Sequence, residues 1–273
     1  MRRPQPSSDW PESWRTSFTY DRLEIFGEVS HFGYAYAYAR RRASTLRLIT
    51  DVLPPGSRIL DVAAAQGNFS LSLAELGYDV TWNDLRAELE PYVRLKHERG
   101  TVHYKPGNAF ELDFERPFDG VLITEVIEHV AHPDEFLRNT ARMVRPGGYI
   151  VMTTPNGGYF RNTLPRFSDC QDPSVYEAQQ FKPNSDGHIF LLHGDEVERL
   201  ATEAGLRLDR LEFLINSLTY GHLGTEPLLR LLPAAVVSAA EWATARLPDA
   251  LQRRLLVQMA ARFERPAGED APS

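Results

Sequence analysis

The stretch that most constrains this chain is Ile59-Leu-Asp-Val-Ala-Ala-Ala-Gln-Gly-Asn-Phe-Ser70. An apolar run (Ile59, Leu60, Val62) carries an acid at Asp61 and breaks into small residues, Ala63, Ala65 and Gly67 among them. A helical pattern follows from Asn68 through Phe69, Leu71, Leu73 and Leu76. Strand, tight turn and helix make the βα unit of a nucleotide-binding α/β sheet. The turn must be small because backbone approaches a ligand there. The helix opening at Asn68 presents its free N–H groups to the same place.

The rest of the chain reads as the remainder of such a sheet. Strands are expected at Arg58–Val62, Asp79–Asn83, Val102–Lys105, Phe118–Thr124, Tyr149–Thr154 and Arg207–Phe213. Between them the spacing predicts helices over Leu85–Lys96, with Pro91 an irregularity, over Pro133–Val144 and over Asp195–Ala204. Apolar residues at 255, 257, 259, 261 and 263 alternate, which predicts a last strand running antiparallel beside the sixth. The expected architecture is α/β: a Rossmann-like, doubly wound, seven-stranded sheet with an antiparallel last strand and helical insertions.

Around that sheet, residues 1–17 and 266–273 are expected to be flexible, and 18–265 to form one domain. Residues 18–53 read as helical. Tyr34, Tyr36 and Tyr38 alternate like a strand, yet the alanines and the downstream period favour a helix. That segment is either a packing helix, the favoured reading, or a lid that brings an arginine near the ligand. Residues 155–194 lack a period and leave the carboxyl end of the fifth strand, so they are expected to cover a substrate. A second, helical insertion at 221–249 includes Leu228–Ala243. It is too short and too interrupted by Arg230 and Pro233 to cross a bilayer. Packing on its own domain is expected; a membrane surface, a second subunit or a roof over the site are the alternatives.

Ligands of such sheets bind at the carboxyl ends of the strands. That rule gathers Asp61–Gly67, Asp84, Asn108, Ala109, Thr124–His129 and Asn156 at one crevice. The sharpest cluster is Thr124-Glu-Val-Ile-Glu-His-Val130. A helical turn there would put Glu125, Glu128 and His129 on one face. His129 can serve as a general base. The same three residues can instead hold Mg²⁺ or Mn²⁺, or can simply order the turn. His188 is a candidate for a further ligand or base.

Composition bounds the partners. The 273 residues carry 30 Lys and Arg against 37 Asp and Glu, a net charge of −7, which argues against broad nucleic-acid contact. A single cysteine, Cys170, excludes an internal disulfide and fits a reducing compartment, so a cytoplasmic protein is expected. The first residues show no apolar core of a signal peptide.

Taken together, Asp61–Ser70, Asp84, Gly107-Asn-Ala109, Glu125-Val-Ile-Glu-His-Val130 and Arg145-Pro-Gly-Gly-Tyr-Ile-Val-Met-Thr-Thr-Pro-Asn156 resemble the motifs of class I S-adenosylmethionine-dependent methyltransferases. The likeness covers residues 55 to 215. The Glu-Val-Ile-Glu-His signature resembles especially the ubiquinone-biosynthesis O-methyltransferases and relatives acting on sugars and natural products. The resemblance implies S-adenosyl-L-methionine as cofactor, with Asp61, Ala63, Ala65 and Gly67 at its methionine part. It places Asp84 at the ribose and Asn108 with Ala109 at the adenine; Leu85 and Glu125 are counted with them. It implies O-methylation of a small-molecule or glycan hydroxyl, with His129 and Glu128 as catalytic residues. The family pattern favours glycine where this chain has Ala63 and Ala65, a turn that alanine makes at negative φ. Asn83, beside Asp84, is a second candidate for the ribose.

A narrower likeness joins Glu125, Glu128, His129, Thr153-Thr-Pro-Asn-Gly-Gly-Tyr159 and His188 to metal-dependent methyltransferases of RNA 3′-terminal 2′-hydroxyls. The acidic pI near 5.7 weighs against RNA as the substrate. Two other readings stay open: an NAD-dependent oxidoreductase, and a non-catalytic module of the same fold.

Overall fold

The computed structural model describes residues 1–28, 30–180, 187–221 and 223–267. Asp186 and the tail from residue 268, expected to be flexible, lie outside them. Seven strands form one sheet among the described residues: β1 (Arg58–Val62), β2 (Asp79–Trp82), β3 (Thr101–Tyr104), β4 (Phe118–Thr124), β5 (Val144–Pro155), β6 (Arg207–Asn216) and β7 (Leu256–Glu264). Their order is β3-β2-β1-β4-β5-β7-β6. The first five are parallel, and β7 runs antiparallel to both β5 and β6. The expected sheet and its reversed last strand are therefore present.

Period two explains the layering. Leu60, Val62, Val121, Ile123, Ile150 and Met152 enter a core on one face of the sheet. Their neighbours Ile59, Leu122 and Val151 enter the core on the other. Burial on both faces is what a parallel sheet requires. The helices that supply it are α1 (Glu12–Glu24), α2 (Phe32–Thr50), α3 (Asn68–Glu75), α4 (Glu90–Lys96), α5 (Pro133–Met143) and α6 (Gly194–Glu203).

Several boundaries differ from those expected. The helix predicted from Leu85 starts at Glu90, after a 3-10 turn at Ala87–Leu89, because Pro91 fits only a first helical turn. Arg145-Pro-Gly-Gly148, which precedes the fifth strand as expected at Tyr149–Thr154, lies inside β5, where the pairing with β4 slips between Phe118 and Gly120. The alternating tyrosines 34, 36 and 38 are helical and belong to α2.

The amino-terminal segment, expected to be flexible, is anchored in part: within 1–17, Pro4, Trp10 and Ser17 are buried while most other side chains are exposed. Trp10 is buried with Phe18 and Tyr92, its ring edge-on to Tyr92 at 5.8 Å, and α1 already begins at Glu12. Aromatic burial outweighs the Pro/Ser content of this segment. Beneath α1, Lys96 Nζ donates to Asp21 Oδ2 at 2.7 Å and to Asn68 Oδ1 at 2.6 Å, with both charged side chains fully buried. Tyr92 Oη donates to the same Asp21 oxygen.

The second insertion is helical as expected: α7 (Glu226–Leu229), α8 (Ala234–Thr244) and α9 (Asp249–Leu255). It packs on its own domain along one side only. Leu229 and Val237 are buried, whereas Leu228, Leu231, Val236 and Trp242 are exposed. No helix among the described residues is long and apolar enough to cross a membrane.

Removing one partner of a buried ion pair leaves the other charge uncompensated, at a cost of about 3–5 kcal/mol. Lys96→Met is accordingly expected to lower stability by that amount in urea denaturation. The Asp21→Asn/Lys96→Met double variant is expected to recover part of it. A single variant as stable as wild type would contradict this role for the pair.

Candidate functional site

A cavity of about 660 Å³ opens where β1, β2 and β4 end, lined by Ala63, Ala65, Asp84, Leu85, Thr124, Glu125 and His129 among others. This volume falls in the range of small-molecule sites, roughly 300–1,000 Å³. The position is the switch point of the sheet, because the chain leaves β1 toward β2 on one side and β4 pairs on the other.

The floor is the turn after β1. Ala63, Ala65 and Gly67 all take left-handed backbone, with φ of 53°, 47° and 73°. The two alanines thus make the turn at positive φ, not at the negative φ expected of them. The turn is clamped from β2: Ala64 N–H donates to Asn83 O at 2.8 Å, and Ala65 N–H to Asp84 Oδ2 at 2.8 Å. Trp82 Nε1 donates to Ala65 O at 3.0 Å. Gly67 has no room for a side chain, since a Cβ would sit 2.6 Å from Val93 Cγ1.

Two acids face this turn. Asp61 is 1% exposed; its Oδ2 accepts from Ser70 Oγ at 2.5 Å and its Oδ1 has no partner among the described residues. Burial first, and the neighbouring Asp84 last, push its pKa up to about 7 against the opposing bond from Ser70. Asp84 is saturated. Beyond Ala65 it accepts from Arg86 N–H (2.9 Å), Arg86 Nε (3.0 Å) and Arg86 Nη2 (3.2 Å). A carboxylate has about four lone-pair positions, so a ribose diol reaches Asp84 only after the half-exposed Arg86 guanidinium swings away.

The adenine-side expectations are redirected. Asn108 closes its own turn, donating to Glu111 Oε1 and accepting from Phe110 N–H, and Ala109 is buried in the core; neither lines the cavity. Asn83, the second candidate for the ribose, has its amide N–H groups engaged by backbone. Its amide holds Lys105 O and Gly107 O at 2.7 and 2.9 Å.

The helical turn expected to align Glu125, Glu128 and His129 does not form in that phase. Glu125 takes φ 55°, and a 3-10 turn begins at Ile127. Glu125 is spent on structure: it accepts from Thr153 Oγ1 (2.8 Å) and Gln258 Nε2 (2.5 Å) and pairs with Arg41 at 3.0 Å. Glu128 lies behind the cavity, 1% exposed. Its Oε2 accepts from Thr154 Oγ1 and its Oε1 has no partner among the described residues. Burial, then the charge of Glu125, raises its pKa well above the carboxylate range. His129 does face the cavity, with its ring centroid 4.9 Å from that of His188. Ligand atoms of Glu128, His129 and His188 lie within 4.8 Å of one another. The set that could hold a metal is therefore this one, without Glu125.

The opposite wall matches the alternative weighed for residues 18–53, a segment that brings an arginine to the site; Glu24 was not anticipated. Glu24 from α1, with Tyr38 and Arg41 from α2, lines the cavity. Arg41 Nε is buried with no hydrogen-bond partner among the described residues. Glu24 accepts from Tyr34 Oη, Gln66 Nε2 and Asn68 Nδ2. The Arg40-Arg-Arg42 run inside an aromatic helix was the available signal; Glu24 had none. α2 is thus both the packing helix and the wall of the site.

Fold and site together define a class: an α/β protein with a crevice of small-molecule size at its strand ends, lined by Asp84 on one side and by Arg41 on the other. Residues 34–211 match the methyltransferase domain family model. The chain belongs to that family, the S-adenosylmethionine-dependent methyltransferases. It is 39% identical over 158 residues to a ubiquinone biosynthesis O-methyltransferase of Xanthomonas euvesicatoria, covering 56% of this chain and 64% of that one. With the same enzyme of Rickettsia conorii the identity is 31% over 149 residues, covering 50% and 51%. The chain spans about half the length of the curated relatives it matches. Among solved structures, magnesium protoporphyrin IX methyltransferase of Synechocystis with bound S-adenosylhomocysteine shares the fold. The TM-score is 0.55 at 12% identity, over 91% of this chain and 94% of that one.

Two outcomes are expected. An L-residue in left-handed backbone costs roughly 1–2 kcal/mol, partly offset by the extra entropy glycine has when unfolded. Ala63→Gly/Ala65→Gly should therefore raise the melting midpoint by about 2 °C; a lower midpoint would contradict the strain. The second concerns pH. Asp61 is raised in the folded chain, so the folded state holds a proton that the unfolded state releases near pH 4. Stability is lost as pH rises from about 4 to about 7. Asp61→Asn should melt above wild type at pH 8.5, and its advantage should shrink toward pH 5. An advantage independent of pH would refute the assignment.

Proposed function

We propose that the protein transfers a methyl group from S-adenosylmethionine to a hydroxyl oxygen of a small-molecule or glycan acceptor. The observation that carries this reading is that one cavity is lined on one side by Arg41, whose Nε has no hydrogen-bond partner among the described residues, and on the other by Asp84, just past the end of β2. That pairing suits a ligand with a carboxylate at one end and a ribose diol at the other. Asp84, on the cavity wall, lends negative potential on the side where a sulfonium would sit. Gln179 and Gly187, from the 155–194 insertion, line the same cavity and support its role in setting the acceptor.

When bound, the cofactor supplies an electrophilic methyl: its carbon–sulfur bond breaks as the oxygen–carbon bond forms. The residues of this chain have two tasks. The cavity walls align the acceptor oxygen with that methyl, and alignment accounts for much of such a rate enhancement. His129, facing the cavity, takes the hydroxyl proton on an imidazole nitrogen.

A second reading rests on the orphaned Glu128 Oε1 beside His129 and His188. These three would hold Mg²⁺ or Mn²⁺, whose charge lowers the pKa of a bound hydroxyl.

The test is transfer of tritiated methyl to a panel of phenols and sugars. His129→Ala should lower kcat about 100-fold or more while S-adenosylhomocysteine affinity stays within about threefold, since the base does not hold the cofactor. Unchanged kcat would remove His129 from the chemistry. Dialysis against a chelator separates the two readings: full activity afterwards supports the base alone, and loss restored by Mg²⁺ or Mn²⁺ supports the metal. Arg86 is half-exposed and its competition for Asp84 is worth about 1 kcal/mol, so Arg86→Ala, which frees Asp84, is expected to tighten S-adenosylhomocysteine binding roughly two- to fivefold. Weaker binding would mean that Arg86 contacts the ligand.

A further inference from the structure

The insertion between β6 and β7 inverts the usual polarity of a surface helix. On α8 Glu241 and Thr244 point inward, and Ser238 is the one polar side chain left outside. Glu241 accepts from Asn216 N–H at 3.0 Å and from the Thr219 hydroxyl, and Thr244 Oγ1 accepts from Asn216 Nδ2 at 3.2 Å. The large outward side chains are apolar: Val236 and Trp242 on α8, with Leu228 and Leu231 just before it, are 48%, 59%, 52% and 83% exposed. A soluble helix facing water shows the reverse pattern.

The charges are sorted in the same sense. Glu226 is turned onto the first turn of α2, accepting from Phe32 N–H (2.8 Å) and Gly33 N–H (3.0 Å). From Leu223 to Leu255 the exposed charged residues are Arg230, Arg246, Arg253 and Arg254, against Asp249 alone. This basic surface belongs to a chain of net charge −7. Arg246 lies 3.7 Å over the Trp242 ring, so cation and aromatic form one unit.

Topology puts this face beside the cavity. β6 runs parallel to β5, so the insertion leaves β6 at Asn216 and re-enters at Leu256 on the rim where β1, β4 and β5 end. Asn156, at the carboxyl end of β5, donates its amide to Arg253 O at 2.7 Å.

We propose that this face docks on an anionic lipid bilayer. Leu228, Leu231, Val236 and Trp242 enter the headgroup–acyl boundary, and Arg230 and Arg246 meet the lipid phosphates. A second copy of the chain fits the face less well, because a self-complementary contact would bring these arginines together with only Asp249 exposed among them. The inference stands apart from the methyl-transfer reading: the insertion lies beyond the matched residues 34–211.

The experiment is co-sedimentation of the full chain with vesicles of phosphatidylcholine alone and of phosphatidylcholine with phosphatidylglycerol. Wild type should sediment with the anionic vesicles, less with the neutral ones, and less as salt rises. Leu231→Glu/Trp242→Glu and Arg230→Glu/Arg246→Glu should each weaken partition by roughly tenfold or more. Leu95→Glu, at an exposed leucine on α4, should not. All these side chains are exposed, so circular dichroism should show every variant folded. No sedimentation of wild type with either vesicle, or undiminished binding by the first double variant, overturns the proposal. So does a wild-type dimer in light scattering that Trp242→Glu converts to monomer without any vesicle binding in either form.

Discussion

The turn between β1 and α3 is the constraint on which the site depends. Three residues in left-handed backbone, Ala63, Ala65 and Gly67, bend the chain sharply enough to leave a floor at the strand ends. Two of them pay a steric penalty that glycine would avoid. The penalty is held by bonds from the neighbouring strand: Asn83 O, Asp84 Oδ2 and Trp82 Nε1 each engage the turn's backbone. Asp84 therefore has two jobs, fixing the floor and presenting acceptor oxygens to the cavity. Local strain kept by surrounding structure is a recurring property of ligand sites.

The wall opposite is held by a buried polar network. Asp21 and Lys96 meet inside the protein, Asn68 bridges them to Glu24, and Glu24 collects Tyr34 and Gln66. This chain of bonds joins α1 to the start of α3, so the amino-terminal helices are fixed relative to the turn. Arg41 is fixed in turn by Glu125, which also ties β4 to Thr153 of β5 and Gln258 of β7. A network of this kind defines one geometry because each partly satisfied alternative strands a buried polar group.

The sheet was legible in the sequence because buried strands are written as short apolar runs, and the reversed last strand as strict alternation. The Asp61–Gly67 turn was legible from its small residues. Its handedness was not, since alanine carries no sign of positive φ. The Glu125–Glu128–His129 face failed for the same physical reason: helical phase holds only where φ is helical, and Glu125 at 55° breaks it. Glu24 and Arg41 reach the cavity through tertiary packing of α1 and α2, which no local spacing encodes. Trp10 was hidden by its Pro- and Ser-rich neighbours, and the outer face of α8 read as core because apolar content normally means burial.

The central claim is that this crevice holds S-adenosylmethionine between Arg41 and Asp84. Equilibrium dialysis of radiolabelled S-adenosylmethionine against wild type, Asp84→Ala and Arg41→Ala tests it most directly, with NAD⁺ as competitor. The account predicts one saturable site per chain, loss of saturation in Asp84→Ala, weaker binding in Arg41→Ala, and no displacement by NAD⁺. Absence of saturable binding to the folded wild-type protein, or full displacement by NAD⁺, would contradict it.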